Sequence, residues 1–338
     1  LSKSIKLGIT LGDPSGIGPE VIAKAISKGN FKNIIPLVIG SYDVFQDTIK
    51  NNNISIKAIA INNISNLSLD PLEQTIHVLD TRSPKKTDFP IGKVNSKSGD
   101  YSHFWIKEAI ELTLKSKLDA IVTAPINKQS FHLAGKKEIG HQEILKGLTN
   151  SSDVYTMLVS GNLSCVHLST HKSLKDACKF VTKGNIMKVI SKTHEQFKEW
   201  GIKNPKIAVA ALNPHSGDNG LIGNEEKIEI IPAIKKAKNL GINVIGPIAA
   251  DVIFYKAIQK EFDVVIAMYH DQGHIAIKVH GFEESISMNV GLPIIRTSVD
   301  HGTAFDIAGK GIADETSMIE AMKLSIKLVK KINKVVME

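Results

Sequence analysis

The stretch Lys6-Leu7-Gly8-Ile9-Thr10-Leu11-Gly12-Asp13-Pro14-Ser15-Gly16-Ile17-Gly18-Pro19-Glu20 runs from an apolar strand pattern through a glycine-rich turn into a helix start. Proline at a first helical turn and glycines just before it mark a strand-to-helix junction. Glycines there permit tight turns and close backbone approach, and the free N–H groups of the helix start can meet an anion. The spacing is not the dinucleotide fingerprint of a Rossmann domain. On residues alone, a plain structural turn and an anion site are equal readings.

The same order of strand, polar loop and helix recurs along the chain. Short apolar runs at 35–39, 119–123, 206–212, 263–268 and 293–297, with 6–11, suit strands buried on both faces of a sheet. Residues 184–200 place Ile186, Val189, Ile190, Thr193, Phe197 and Trp200 on one helical face, and 225–240 do so with Ile228, Ile231 and Ile234. Two alternating runs, 155–161 and 163–170, flank Gly161-Asn162 and read as a β-hairpin. The Asn- and Ser-rich patch 51–68 reads as surface loops. These patterns predict an α/β fold with some antiparallel structure.

A length of 338 residues suits two domains or one large α/β unit, and 42% hydrophobic with 22% charged residues argues against disorder, collagen and coiled coil. No apolar run approaches the roughly 18 residues of a membrane span, and residues 1–10 carry no signal core. A cytoplasmic protein with no membrane partner is expected. Two cysteines, Cys165 and Cys178, exclude a disulfide framework and a four-thiolate zinc site. Any metal must be held by histidines and acids. The formal net charge is +8, but the lysines are scattered and aromatics do not interleave with them. That pattern disfavours nucleic acid and suits an anionic substrate or cofactor.

Several segments carry chemistry. Thr123-Ala124-Pro125-Ile126-Asn127-Lys128 leaves the end of a strand, where open α/β sheets bind ligands. Lys128 is either a functional amine or a solvated helix-start lysine. His141 lies in Gly140-His141-Gln142-Glu143, and His171 closes the strand ending Ser169-Thr170-His171. His215 lies in Asn213-Pro214-His215-Ser216-Gly217-Asp218, and His270 in Tyr269-His270-Asp271-Gln272-Gly273-His274. A lone histidine is more often structural, yet three at strand exits can converge as neutral metal ligands. His167 shares a strand face with His171, so spacing leaves the choice between them open. Finally, Arg296-Thr297-Ser298-Val299-Asp300-His301-Gly302-Thr303-Ala304 delivers an arginine and a polar loop. Arg296 suits bidentate phosphate or carboxylate recognition, with a strand-edge salt bridge as the plain alternative.

In this order the segments resemble the 4-hydroxythreonine-4-phosphate dehydrogenase family, over nearly the whole chain. The resemblance implies the isocitrate/isopropylmalate dehydrogenase-like fold, two α/β domains with a cleft between them and no Rossmann domain. It implies a split first domain, 1–125 plus 291–338, holding part of the NAD site. The second, 126–290, would carry metal and substrate residues and the dimer interface. The loop Asp300, His301, Gly302, Thr303 and Ala304 is similar to the NAD-binding segment of isopropylmalate dehydrogenases.

By the same resemblance His171, His215 and His270 are the metal ligands, and His167 is a packing residue or one that supports a ligand from behind. One divalent metal per subunit (zinc, magnesium, manganese or cobalt) is implied, in a homodimer whose two subunits both supply histidines. His141, Lys278 and Arg296 match substrate positions, the last two facing the phosphate. Asp251 and Asp271 match acidic positions near the metal and, with Lys128, are the candidate catalytic residues. Two positions depart from the family pattern. Gln142 stands where threonine is usual, and Ser287 where a phosphate-binding asparagine is usual, with Asn289 on the same strand face two residues on.

The implied reaction is NAD-dependent, metal-assisted oxidation with decarboxylation of a 4-phosphorylated 3-hydroxy acid. The substrate is 4-hydroxy-L-threonine 4-phosphate, in pyridoxal phosphate biosynthesis, or 4-phospho-D-threonate or D-erythronate, in sugar-acid catabolism. Gly273-His274 with Lys278 resembles the second branch. A metal-dependent hydrolase on the same histidines, a phosphate acyltransferase-like enzyme and a binding or regulatory module that kept the fold without the chemistry are the competing readings.

Overall fold

A computed structural model describes residues 4–68, 75–138 and 140–337. In chain order its first elements are β1 (Ile5–Thr10), α1 (Gly18–Lys28), β2 (Ile34–Ile39), α2 (Tyr42–Asn51), β3 (Lys57–Ile61) and β4 (Thr75–Leu79). There follow α3 (Ser96–Leu114), β5 (Ala120–Thr123), α4 (Lys128–Leu133) and α5 (His141–Thr149). The hairpin β6 (Tyr155–Ser160) and β7 (Leu163–His167) leads to α6 (Leu174–Phe180), α7 (Lys183–Glu199), β8 (Ile207–Ala210) and α8 (Ile231–Asn239). Then come β9 (Val244–Ile248), α9 (Ala250–Ile258), β10 (Val264–Ala267), α10 (His270–His280), β11 (Ile286–Val290), β12 (Arg296–Val299) and α11 (Thr316–Met337).

The fold is mixed α/β, as the sequence predicts. One unit contains the chain up to Ser151 together with Leu292–Lys330. Its strand order is β3-β4-β2-β1-β5-β12, and every pairing there is parallel. The other unit contains Ser152–Gly291 and the chain from Lys331 on. Its strand order is β11-β6-β7-β10-β8-β9, antiparallel across β11, β6 and β7 and parallel beyond. The first junction falls at 151/152 rather than 125/126, because α4 and α5 pack on α3 of the first unit.

Side-chain chemistry explains the elements. In the first unit Leu7, Ile9, Leu37, Ile39, Ile121 and Val122 are buried in parallel strands covered by helices. Gly12 turns out of β1 at φ +72°, and a Cβ there would stand 2.5 Å from the Pro125 carbonyl oxygen. Ser41, Asn95 and Asn127 cap α2, α3 and α4 through their side chains. In the second unit Leu158, Leu163, Cys165, Ala208, Ala210, Val265, Ala267 and Ile277 share one core. No helix among the described residues is long and apolar enough to cross a membrane.

Four sequence expectations are corrected. The patch 51–68 contains β3, an edge strand pairing with β4 alone; its polar flanks hide the run Ala58-Ile59-Ala60-Ile61. The strand expected at 293–297 is β12, three residues later, where Arg296, Thr297 and Ser298 are buried beside β5. The hairpin strand expected to reach 170 ends at His167, so His171 follows the strand rather than closing it. Ile228 is 59% exposed, because residues Glu226–Ile230 form a π turn whose wider winding takes it off the buried face.

Candidate active site

The first turn of α10 is fixed by Gln272, which is buried and reaches back to two strand ends. Its Oε1 accepts from Met268 N at 2.7 Å, and its Nε2 donates to Ala211 O at 2.7 Å. His270 and Asp271 therefore stand at the C-terminal edge of β10. Asp271 Oδ1 lies 2.6 Å from His270 Nδ1, so the carboxylate orients the imidazole and leaves Nε2 to face outward chemistry. The His171 and His270 ring centroids are 6.3 Å apart. His274 stacks on His270 at 3.6 Å, donates from Nδ1 to the His270 carbonyl, and lies 4.5 Å from His167. His270, His274 and Lys278 recur every four residues and form one stripe, about 12 Å long by helix geometry.

His167 is buried, and desolvation pushes its pKa down to about 3, so it is a neutral packing ring. Its Nδ1 donates to the Thr156 carbonyl at 3.3 Å. Thr156 is opposite Asn289, and Leu158 is opposite Ser287, in the β11–β6 ladder. Ser287 and Asn289 thus share one face, with Asn289 buried and Ser287 partly exposed. Lys278 donates to Ser285 Oγ at 3.1 Å and lies 4.8 Å from the Phe282 ring centre.

His215 stands in a different kind of segment. His215, Ser216, Gly217, Asp218 and Asn219 all have positive φ, between 46° and 77°, and Gly220 continues the left-handed run at 99°. Left-handed helical geometry costs about 1–2 kcal/mol for each non-glycine residue. The imidazole is exposed, and α9, which carries the exposed Asp251 in its first turn, packs on this turn.

In the first unit Arg296 is buried on β12 and donates from Nε and Nη2 to Thr123 Oγ1, at 3.0 and 2.6 Å. Burial lowers its pKa from the usual guanidinium range. His141 opens α5, and its Nε2 is sealed from solvent with no hydrogen bond among the described residues. Burial and then the Arg296 charge hold His141 well below the ordinary imidazole range. Gln142 follows it on the same helix and Lys128 is exposed at the start of α4. The loop after β12 is anchored by Thr303, whose carbonyl accepts from Ile17 N at 3.0 Å. A Cβ on Gly16 would meet that carbonyl at 2.7 Å, so the glycine-rich turn and residues 300–304 are built together. His301 and Gly302 are exposed, and nothing lies within 4 Å of where a Gly302 Cβ would be. Asp300 N donates to Ser317 Oγ, and Ala304 has φ +39°.

The family profile described as "Pyridoxal phosphate biosynthetic protein PdxA" matches residues 32–325. The chain belongs to the PdxA family. Its sequence is 42% identical to D-threonate 4-phosphate dehydrogenase of Cupriavidus necator, over 95% of this chain and 96% of the relative. A solved 4-hydroxythreonine-4-phosphate dehydrogenase from Klebsiella pneumoniae superposes with TM-score 0.87 at 36% identity, covering 96% of this chain and 100% of that one. Another from Burkholderia phymatum gives TM-score 0.85 at 40% identity, covering 97% and 99%.

In this PdxA-family chain the described residues hold no group of three or more His, Cys, Asp or Glu side chains placed to bind a metal. The donors themselves fit a divalent metal: two imidazoles 6.3 Å apart, one oriented through Nδ1 by a carboxylate. The exposed backbone at Gly302, on an anchored loop, likewise fits a bound dinucleotide. Sequence reasoning missed the roles of Thr123 and Gln272 in holding Arg296 and the first turn of α10. Both lie inside segments that the sequence marks, Thr123–Lys128 and Tyr269–His274, but each acts through a hydrogen bond to a residue far along the chain, which spacing does not reveal.

Proposed function

We propose that this protein is an NAD-dependent, divalent-metal-assisted dehydrogenase that oxidises and decarboxylates a 4-phosphorylated 3-hydroxy acid, with D-threonate 4-phosphate the leading substrate. The observation that carries the reading is α10: one stripe bears His270, held by Asp271, and Lys278 two turns on. An imidazole for a metal and an amine for a phosphate on one rigid helix suit a short phosphorylated acid. The Cupriavidus relative's name supports D-threonate 4-phosphate. The names of the solved relatives support 4-hydroxy-L-threonine 4-phosphate as the second reading.

Oxidation removes a hydride from C3 and a proton from its hydroxyl, and loss of carbon dioxide from the 3-oxo acid leaves an enolate that regains a proton at C2. His171, His215 and His270 would hold the metal, which when bound lowers the hydroxyl pKa and offsets negative charge on the reacting oxygens. Asp300, His301, Gly302, Thr303 and Ala304 would hold NAD, the hydride acceptor. Lys278 and Arg296 would bind the phosphate, with Ser287 and Asn289 beside it, so that remote binding positions the reacting carbon. His141 and Gln142 would contact the rest of the acid. Asp271 is engaged with His270, which leaves Asp251 and Lys128 as candidates to move the proton.

A homodimer completes the proposal. Ile275 and Val279, 61% and 82% exposed, share an outer face of α10 near Phe282, an apolar surface suited to a second copy. The test is stoichiometry: metal-replete enzyme given D-threonate 4-phosphate and NAD should release one NADH and one carbon dioxide per substrate. NADH without carbon dioxide removes the decarboxylation, and neither product from either substrate removes the dehydrogenase.

A further inference from the structure

We propose that Glu226 is a positioning residue: its buried carboxylate holds the left-handed turn that presents His215. This rests on the reading of His215 as a metal ligand. Glu226 is 3% exposed, in a stretch whose neighbours Gly223, Asn224, Lys227 and Ile228 are open to solvent. The π turn starting at Glu226 directs it inward. Its Oε1 accepts from the backbone N–H groups of Leu212 and Asn213, at 2.8 and 2.7 Å, and its Oε2 accepts from Asn213 Nδ2 at 2.9 Å. Glu225 Oε2 takes the same amide at 2.7 Å.

Two glycines make room for this knot. A Cβ on Gly217 would stand 2.6 Å from Glu226 Oε2, and one on Gly223 would stand 2.5 Å from Asn213 Nδ2. The carboxylate thus grips the residues just before His215 and backs the middle of the turn just after it. Six successive positive φ values, four of them at non-glycine residues, persist only where the surroundings over-determine them. A carboxylate is required because all three of its partners are donors; a glutamine would turn an amide toward the Asn213 amide.

The test uses Co²⁺ titrated into the full-length protein, with affinity read by competition against a chromophoric chelator and by the visible cobalt spectrum. Glu226→Gln should fold with a melting temperature within a few degrees of wild type, yet bind Co²⁺ at least about tenfold more weakly with an altered spectrum, as loss of an outer orienting partner does. His215→Ala is the reference. Should Glu226→Gln fail to fold, Glu226→Asp keeps the charge, withdraws it by one methylene from Leu212 and Asn213 and carries the same prediction. Weakened binding in His215→Ala with wild-type affinity and spectrum in a folded Glu226→Gln or Glu226→Asp overturns the positioning role alone. Wild-type affinity in His215→Ala overturns the metal reading, and this inference with it.

Discussion

Gly273 stands so close to His167 that a Cβ on it would lie 2.3 Å from the ring Nε2, and 2.6 Å from Cys165 Sγ. The first turn of α10 is thereby seated on β7, and the seating fixes where His270 and Asp271 emerge. Gly273→Ala overpacks a buried contact, at a cost of about 1–3 kcal/mol. It should lower the melting temperature modestly and reduce kcat/KM at least about tenfold, since displacing α10 moves the His270–Lys278 stripe. Thermal melts and initial-rate kinetics on the same preparation check this; unchanged kinetics would separate the helix from the chemistry.

Thr123 Oγ1 accepts two hydrogen bonds from Arg296 across 173 positions of sequence. Thr123→Val removes the hydroxyl and nearly preserves shape. Hydrogen bonds to charged groups contribute about 1.5–3 kcal/mol, so the guanidinium should be held less firmly. The expected outcome is a KM for the phosphorylated substrate raised about tenfold, with kcat changing less.

His141 is neutral in the fold because burial and Arg296 lower its pKa, while the unfolded chain protonates it near pH 6.5. The unfolded state then binds the extra proton, so this contribution to stability is full above pH 6.5 and is lost as pH falls toward the lowered value. His167, lowered to about 3, acts in the same direction. Urea midpoints should fall between pH 6.5 and 5. The decline should be shallower in His141→Gln, by up to about 1.4 kcal/mol per pH unit; an identical slope would contradict the neutral assignment.

The outer face of α10 predicts its own variant. Val279→Lys places a charge on a residue 82% exposed, so it should leave the subunit's fold intact while shifting light-scattering mass toward a monomer. Activity should fall with it, because the metal site is proposed to draw on both subunits.

How much was legible depends on the range of the interaction. Buried parallel strands announce themselves as unbroken apolar runs, and 35–39 and 263–268 lie within a residue of β2 and β10. β12 was misplaced because a polar run, Arg296-Thr297-Ser298, is buried there by partners on β5 and α11. Spacing left His167 and His171 equivalent; the end of β7 separates them, one sealed under α10 and the other exposed. Glu226 was invisible because a π turn breaks the 3.6-residue period from which helix faces are read.

The central claim is tested most directly by NADH formation at 340 nm with metal-replete enzyme, offering D-threonate 4-phosphate and 4-hydroxy-L-threonine 4-phosphate in parallel. The account predicts turnover that is lost on chelation, regained with Zn²⁺, Mn²⁺ or Co²⁺, and faster in kcat/KM for D-threonate 4-phosphate. No NADH from either substrate, in a protein shown to bind both NAD and metal, would contradict it.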